Sequence, residues 1–429
     1  MELKFKLEDR PPGKENLLYG LQWLAVSLPA VIIISKVLGA MNGSLEMELL
    51  YLQKVFAVTG IAILMQIFWG HRLPLVIGPA TVLLIGILAS QASNPAAVYS
   101  SIAISGVILT LLAITGLFAR LQSLFTPRVV AVILLLVAFT LAPVIMQLIS
   151  AGQGTSSGRQ LAFAFIFILL IFCGQRYLAG LWKSLLILIA LIAGSLGYFL
   201  IDPAWASVAG AGKLEAVSCF AQNLNTSLVV EPGVLIAFLL CFLGLSINDL
   251  GSIQAVGSFL QADNMSQRIT RGITVTGAAN FLSGFLGVIG PVNFSFSPGV
   301  IASTGCAARR SLIPAALVLL VLAFLPRTLF YLSYIPSVVI GTVLLYTMCT
   351  QIAAGLLAAF DALKDLGEPR FDNALLIGLP IMAGITVAFL PQAVTAAFPA
   401  PLQPILSNGF VVGIVLSLLL EHVIFRRVR

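Results

Sequence analysis

The feature that most constrains this chain is a long stretch almost free of charge. Between Glu231 and Asp263 only one charged residue, Asp249, interrupts the sequence. A helix needs about 20 apolar residues to cross the hydrocarbon core of a membrane, so this stretch is long enough to span it. Similar runs recur along the 429 residues, of which 59% are hydrophobic and 9% charged. Soluble domains carry charge on about a quarter of their residues, which excludes a soluble fold.

These runs predict an all-α integral membrane protein with fourteen transmembrane spans. They are continuous rather than alternating in hydrophobicity, which disfavours a β-barrel. The predicted spans cover residues 17–39, 48–69, 76–92, 97–119, 128–149, 160–175, 183–201, 230–258, 268–288, 296–305, 308–325, 335–357, 373–392 and 404–424. A cytoplasmic segment at 1–16 precedes a first seven-span repeat at 17–202, and an external connection at 203–228 leads to a second seven-span repeat at 229–425.

The basic residues support this topology. With a cytoplasmic N-terminus, most of the 23 Lys and Arg residues fall on the cytoplasmic side, as the positive-inside rule requires. The basic residues on the other side are Lys36, Lys54, Arg159, Lys213 and Arg327. Because the charge is spread over every cytoplasmic connection, the net charge of +7 indicates orientation in a membrane rather than nucleic-acid binding. We therefore expect a plasma (inner) membrane protein with both termini in the cytoplasm.

Spans three and ten are short or interrupted, and a proline-containing turn opens each of them: Gly78-Pro79-Ala80-Thr81 and Ser297-Pro298-Gly299. They hold the same place in the two halves, and an odd number of spans per half inserts the halves in opposite orientations. Broken helices at matching positions of inverted repeats indicate a transporter site near the membrane midplane. A helix that begins inside the membrane leaves free N–H groups and a positive dipole end, which can hold a polar ligand.

Asp249 is the candidate for ion coupling. An aspartate at the centre of a spanning helix costs roughly 2.5–3.5 kcal/mol, so it normally faces a cavity, a partner or a solute path. We expect it to load and release a proton, with sodium as the other possible coupling ion. The alternative is that span eight ends earlier and Asp249 is solvated at the cytoplasmic mouth.

Several motifs, in order, resemble those of one transporter family. They are Asp9-Arg10-Pro11-Pro12 and Gly20-Leu21-Gln22 at span one, Gly70–Pro79 before span three, Ala279–Gly287 in span nine, Gly299–Gly305 with Arg309-Arg310 in span ten, and Ile335–Gly341 at span twelve. Together they are similar to the nucleobase–ascorbate transporter family, also called nucleobase:cation symporter-2, which includes uracil and xanthine permeases. The resemblance implies a core domain (spans 1–4 and 8–11) that moves against a gate domain (spans 5–7 and 12–14). It also implies homodimers and a substrate held between the starts of helices three and ten and the middle of helix eight.

The chain departs from the family pattern at the residues that would hold the substrate. Gln22 is followed by Trp23 where the family has histidine, and Asn248 stands where the family has glutamate. Ser252 replaces a second titratable group of span eight, and Phe296 and Ser297 replace the polar pair of span ten. With these carboxylates missing, we expect a mostly neutral, planar solute.

The predicted substrate-binding residues are Gln22, Ala80, Thr81, Asn248, Phe294, Ser295, Phe296 and Ser297. Asn248 offers donor and acceptor atoms for a neutral amide or imide edge, although helix packing is its ordinary alternative role. Phe296, and less strongly Phe294, would give an aromatic stacking face, worth about 1 kcal/mol. Gln22 would reach the site from span one.

The leading hypothesis is proton-coupled uptake of a nucleobase-like solute by a secondary transporter. The sequence has no Walker loop, Rossmann fingerprint, zinc spacing or catalytic triad, so we expect neither an enzyme nor a cofactor or metal. An anion transporter or channel, with the architecture of sulfate and bicarbonate carriers, is the alternative, because fewer acids raise the local potential. A non-transporting receptor is the third class, and the broken helices argue against it.

Overall fold

The computed structural model describes residues 3–39, 41, 43–91, 93–150, 157–202, 214–295, 297–364 and 371–425, which are mostly helical. The first half contains α1 Gly13–Gly39, α2 Leu45–Phe68, β1 Ile77–Pro79, α3 Thr81–Ala89, α4 Pro95–Ile114, α5 Leu117–Gln122, α6 Pro127–Thr140, α7 Ala142–Ser150, α8 Ser157–Tyr177, α9 Gly180–Ser184 and α10 Leu186–Ile201. The second half contains α11 Pro232–Phe259, α12 Met265–Leu286, β2 Pro291–Asn293, α13 Ser297–Thr304, α14 Ile313–Leu322, α15 Pro326–Ser333, α16 Ser337–Lys364, α17 Phe371–Ala388, α18 Gln392–Thr395, α19 Gln403–Leu406 and α20 Gly409–Leu419.

Helix starts follow from local sequence. The Ser44 hydroxyl accepts from Met47 N at 3.3 Å and caps α2. Asn94 caps α4 in the same way, with Pro95 at the first helical position. Such side chains satisfy N–H groups that have no partner within the helix, and proline at the first position loses no hydrogen bond.

Several of the helices are long and apolar enough to cross a membrane. Among the described residues eight helices meet that test, or nine if Arg309–Leu322 and Pro326–Ser333, bent by 105°, count as one span. The half-helices α3 and α13 are too short to qualify. The count of fourteen spans therefore stays a prediction.

Some predicted spans differ from the observed helices. Span five, 128–149, matches the candidate span Pro127–Ser150, within which the helix is interrupted at Leu141 between α6 and α7. Pro143 lies in the first turn of α7, where it suits a helix start. Helix α15 was not predicted. It begins at Pro326, in the stretch between predicted spans eleven and twelve that was expected to be a loop. Of the predicted connection 203–228, residues 203–213 lie outside the described residues, and the remainder holds neither helix nor strand.

Glycines bring α4 and α12 into close contact. A Cβ atom built on Gly106 would lie 2.7 Å from Gly277 O, and one on Gly284 would lie 2.5 Å from Tyr99 O. Small residues of this kind let two helix backbones approach closely inside a membrane. This packing fixes the position of α12, whose Thr276 and Asn280 are buried.

Candidate functional site

The two half-helices begin side by side. Strand β1, which precedes α3, pairs antiparallel with β2, which precedes α13, and Gly78 lies opposite Val292. Phe294 N also donates to Val76 O at 2.8 Å. The sequence predicted the two broken spans, but not this two-stranded sheet between them.

The starts of α3 and α13 differ in the hydrogen bonds that their side chains make. Ala80, at the N-cap of α3, provides no side-chain hydrogen bond, so the first N–H groups of α3 lack a capping acceptor. At the start of α13, the Ser297 hydroxyl accepts from Val76 N at 2.9 Å and donates to Phe294 O at 3.0 Å. Ser297 therefore holds the start of α13 against Val76, the residue before β1.

A cavity of about 190 Å³ lies where the half-helices begin. Predicted residues in its wall are Ala80, Thr81, Asn248, Phe294 and Ser295. The rest of the wall comes mainly from α1, α6 and α16 and is largely apolar, and none of the described residues in it carries a formal charge. Pockets for drug-sized ligands measure about 300–1,000 Å³, so this cavity suits a smaller solute.

Helix α16 contributes three polar residues that the sequence analysis did not single out. Thr347, Thr350 and Gln351 all line the cavity. Their spacing of three and four residues puts them on one face of the helix. A polar face at this spacing in an otherwise apolar span is the signal that would have identified them.

Two of the predicted residues that the structure describes do not line the cavity. Gln22 lies in α1 outside the wall, and its Oε1 atom is buried without a hydrogen-bond partner among the described residues. Ser297 is buried behind the wall. Phe296 lies outside the described residues, so its stacking role stays a prediction.

Asp249 is fully buried and is not part of the cavity wall. Its Oδ2 atom accepts a hydrogen bond from Thr276 Oγ1 at 2.7 Å. Its Oδ1 atom accepts from the Asn293 backbone N at 3.0 Å and from Asn293 Nδ2 at 2.5 Å. The carboxylate is therefore shielded from solvent and held by three donors, as a buried charge requires. It is not the solvated residue considered as the alternative.

The Asn293 side chain connects Asp249 to a histidine. His71 Nδ1 accepts from Leu73 N at 2.9 Å, and His71 Nε2 lies 3.1 Å from Asn293 Oδ1. Because a backbone N–H can only donate, His71 Nδ1 carries no proton and Nε2–H donates to the amide oxygen. This assignment turns the amide nitrogen of Asn293 towards Asp249.

His71 is neutral in this position. It lies in the connection between α2 and β1 and is 1% exposed, although its place beside Arg72 in the sequence would suggest a solvated side chain. Desolvation by burial lowers the pKa of His71 from 6.5 to about 3, although its hydrogen bond to Asn293 acts in the opposite direction.

Gln66 completes a closed set of hydrogen bonds. Its Nε2 atom donates to Thr276 Oγ1 at 3.0 Å and to Gly272 O at 2.9 Å, and its Oε1 atom accepts from His71 N at 3.2 Å. We call Gln66, His71, Asp249, Thr276 and Asn293 the buried polar ring. Each of these residues is at most 3% exposed.

The buried polar ring contacts the cavity wall through Asn293. Asn293 O accepts from Asn248 Nδ2 at 3.3 Å and from Ser252 Oγ at 2.9 Å. Asn248 lines the cavity. Asn293 therefore contacts Asp249 through its N–H groups and a cavity residue through its carbonyl oxygen.

Comparison with known proteins assigns this architecture to a family. The model of the permease family matches residues 14–422. The chain belongs to the permease family. This confirms the resemblance to xanthine and uracil permeases seen in the sequence motifs.

The permease has relatives that match over almost their whole length. It is 25% identical over 417 residues to the nucleobase transporter PlUacP of Paenibacillus larvae, covering 94% of this chain and 93% of the relative. It is 23% identical to the xanthine permease of Bacillus subtilis, covering 93% and 91%, respectively. The uric acid permease PucK of Bacillus subtilis is 24% identical, covering 98% and 97%. These relatives are transporters rather than enzymes.

Solved structures that match this fold include anion carriers. The permease matches the transmembrane domain of the cyanobacterial bicarbonate transporter BicA with a TM-score of 0.60 and 17% identity, covering 89% of this chain and 97% of that one. It matches the murine anion transporter Slc26a9 in its inward-facing state with a TM-score of 0.62 and 13% identity, covering 98% and 69%, respectively. At these identities the likeness shows the fold alone.

Proposed function

We propose that this permease takes up a small planar solute of the nucleobase class together with a proton. The observation that carries the proposal is the cavity at the half-helix starts, about 190 Å³ in volume with an uncharged wall. An apolar cavity with a few polar groups at one end suits a flat, neutral, hydrogen-bonding ring. The nucleobase, xanthine and uric acid permeases among its relatives support the same solute class.

Asn248 is the residue proposed to form hydrogen bonds with the polar edge of the solute. An amide side chain presents two N–H donors and one carbonyl acceptor, and one of these donors is used on Asn293 O. The remaining donor and acceptor complement an amide or imide edge. The N–H groups at the start of α3 and the ring of Phe294 would complete the contacts on the edge and the face of the solute.

Asp249 is proposed to carry the coupling proton. It is the charged member of the buried polar ring and lies one residue behind the cavity wall. Its Oδ1 atom already accepts two hydrogen bonds, which leaves little room for the several oxygen ligands of a sodium ion. Proton coupling is therefore favoured over sodium coupling.

The proposal includes the predicted architecture of two inverted seven-span repeats, fourteen spans in total. Helices α3 and α13 follow paired strands and would be equivalent in the two repeats. The cavity wall combines α1, α3 and α11 of the proposed core domain with α6, α10 and α16 of the proposed gate domain. Movement of one domain past the other would then open the cavity to alternate sides. A homodimer in the plasma (inner) membrane, with both termini in the cytoplasm, is part of the same proposal.

The function is tested with purified protein in proteoliposomes. Uptake of radiolabelled uracil and xanthine is measured with and without an inward proton gradient, and separately with an inward sodium gradient. We expect saturable uptake that the proton gradient stimulates. Protein-free vesicles serve as the control for leakage. Saturable uptake stimulated only by sodium would refute proton coupling, and absence of nucleobase uptake and binding would refute the solute class.

An anion remains the second candidate because solved structures that match this fold include anion transporters. The free N–H groups at the start of α3 also suit a negative charge. The same vesicles therefore receive labelled sulfate and bicarbonate. Saturable anion uptake that uracil and xanthine fail to inhibit would favour this second function.

A further inference from the structure

We propose that Thr276 is the switching partner of Asp249. Its hydroxyl donates to the ionised carboxylate and reverses to accept from the protonated carboxylic acid. This inference rests on the proposed proton-coupled function and identifies a positioning residue for it. Thr276 lies on α12 and Asp249 on α11, so the switch changes the bond between two helices.

The ring contains three donors to Asp249, and two of them have a fixed direction. The Asn293 backbone N–H can only donate. The Asn293 side-chain amide is held in one orientation because His71 Nε2–H donates to its oxygen, and Leu73 N fixes the protonation of His71. Turning the amide would place its NH₂ group against the His71 Nε2–H group, with both as donors.

The Thr276 hydroxyl is the donor that can reverse. The hydroxyl hydrogen turns freely about the Cβ–Oγ1 bond. The oxygen meanwhile keeps accepting from Gln66 Nε2 at 3.0 Å. Threonine in a helix readily donates to the carbonyl four residues earlier, which is Gly272 O. That carbonyl accepts the helical hydrogen bond from Thr276 N and a second from Gln66 Nε2 at 2.9 Å. A helical threonine hydroxyl commonly shares this carbonyl with the helical N–H group.

When Asp249 is protonated, every hydrogen-bond donor around its carboxyl group still has an acceptor. The incoming proton binds Oδ2, and the new O–H donates to Thr276 Oγ1. The Thr276 hydroxyl hydrogen turns from Oδ2 to Gly272 O. Both fixed donors from Asn293 stay on Oδ1. A buried carboxyl group can therefore exchange its charge without creating an unsatisfied polar atom, which would cost about 1–3 kcal/mol.

Two other titratable or charged groups face this part of the ring. His71 contacts the Asn293 side chain. Arg268 Nη1 donates to His71 O at 2.9 Å. Neither has a described contact with Asp249, whose described side-chain partners are Thr276 and Asn293. The hydroxyl of Thr276 is therefore the group to remove in a test.

The test compares Thr276→Val, which removes the hydroxyl at nearly constant shape, with Thr276→Ser, which keeps it. Thr274→Val is the matched control, because Thr274 lies on the same helix and its hydroxyl donates to Thr270 O at 2.8 Å. Two rates are measured in proteoliposomes: uptake of labelled uracil or xanthine driven by an inward proton gradient, and solute counterflow without a gradient. Counterflow requires binding and movement but no net proton flux.

For Thr276→Val we expect the gradient-driven rate to fall roughly tenfold, the equivalent of one charge-assisted hydrogen bond, while counterflow continues. Thr276→Ser and Thr274→Val should retain both rates. In an Asp249→Asn background, Thr276→Val should have no further effect on driven uptake, because the switch has already been removed.

Three outcomes would overturn the proposal. They are normal driven uptake in Thr276→Val, loss of driven uptake in Thr276→Ser, and loss of counterflow in both Thr276→Val and Thr276→Ala, which would show a purely structural role. Failure of the proposed function looks different, because the wild-type protein itself would then show no stimulation by the proton gradient.

Discussion

Asn293 holds Asp249 through two hydrogen bonds to the same carboxylate oxygen, from its backbone N–H at 3.0 Å and from its side-chain amide at 2.5 Å. Asn293 is the last residue of β2, just before α13. The pair therefore attaches the middle of α11 to the strand that precedes a half-helix. If α13 moves relative to α11, these two hydrogen bonds must break unless β2 stays with α11.

Replacing Asn293 should destabilise the protein. Asn293→Ala removes one donor from a buried carboxylate and leaves His71 Nε2–H without its acceptor. We expect a loss of roughly 2–4 kcal/mol in the free energy of unfolding. Thermal unfolding in detergent measures the effect, with Gln222→Ala as the control because Gln222 is an exposed amide in a connection. Equal melting temperatures for the two variants would contradict the role assigned to Asn293.

His71 should make stability depend on pH. Burial lowers its pKa from 6.5 to about 3, so the unfolded chain binds a proton below pH 6.5 that the folded protein does not. Its contribution is fully present above pH 6.5 and is lost as pH falls towards about 3. We expect the melting temperature to drop over this range, and to drop less steeply in His71→Asn. Parallel curves for the two proteins would show that His71 is not the group responsible.

The broken spans could be predicted from sequence because proline and glycine act locally. Pro79 and Pro298 interrupt hydrophobic runs at corresponding places, and the structure has half-helices there. The sheet that joins them could not be predicted, since each strand has three residues and its partner lies more than two hundred positions away. Strands that short leave no hydrophobic period to detect.

Only part of the site could be predicted from the sequence. Asp249 stood out because charge is rare in a membrane span, and Asn248 stood out beside it. Thr276, which donates to Asp249, and His71, which contacts Asn293, did not stand out. A threonine in a helix is common, and a histidine next to Arg72 suggests a solvated edge. Only the three-dimensional packing of α2, α11 and α12 reveals that these residues meet.

Asn248 should matter for solute binding, whereas its neighbour Ser252 should not. Both donate to Asn293 O, but only Asn248 lines the cavity. We expect Asn248→Ala to weaken uracil or xanthine binding by roughly tenfold, the worth of one or two hydrogen bonds. Ser252→Ala is the matched control and should bind nearly as the wild type does. The affinities are measured by equilibrium binding of the labelled solute. Equal affinities in the two variants would show that Asn248 does not bind the solute.

Gly78 should be needed to keep the ring of Phe294 in place. A Cβ atom at Gly78 would lie 2.6 Å from Phe294 Cε2, closer than real contacts allow. In Gly78→Ala the ring must move, and since it lines the cavity we expect a several-fold rise in the KM for uptake. Gly251→Ala is the control, since nothing lies within 4 Å of a Cβ there. Partial recovery in Gly78→Ala/Phe294→Ala would identify the ring as the cause, and an unchanged KM in the single variant would contradict it.

A hydrogen bond between α9 and α13 offers a test of domain movement. Ser184 Oγ and Ser303 Oγ lie 2.8 Å apart, one in the proposed gate domain and the other in the proposed core domain. Cysteine sulfur atoms at these positions would replace two hydroxyl oxygens that are already in contact, so we expect them to form a disulfide, whose S–S bond is about 2.0 Å long. The experiment requires a background in which the exposed native thiols are replaced by serine; these are Cys173, Cys219 and Cys349.

Oxidation of the double cysteine variant should abolish uptake, and reduction should restore it, because the disulfide prevents α13 from moving past α9. Each single cysteine variant, oxidised in the same way, controls for damage by the oxidant. The extent of cross-linking is measured by mass spectrometry of the peptides. Full cross-linking with unchanged uptake would mean that α9 and α13 move together, and the boundary between the two domains would then have to be drawn elsewhere.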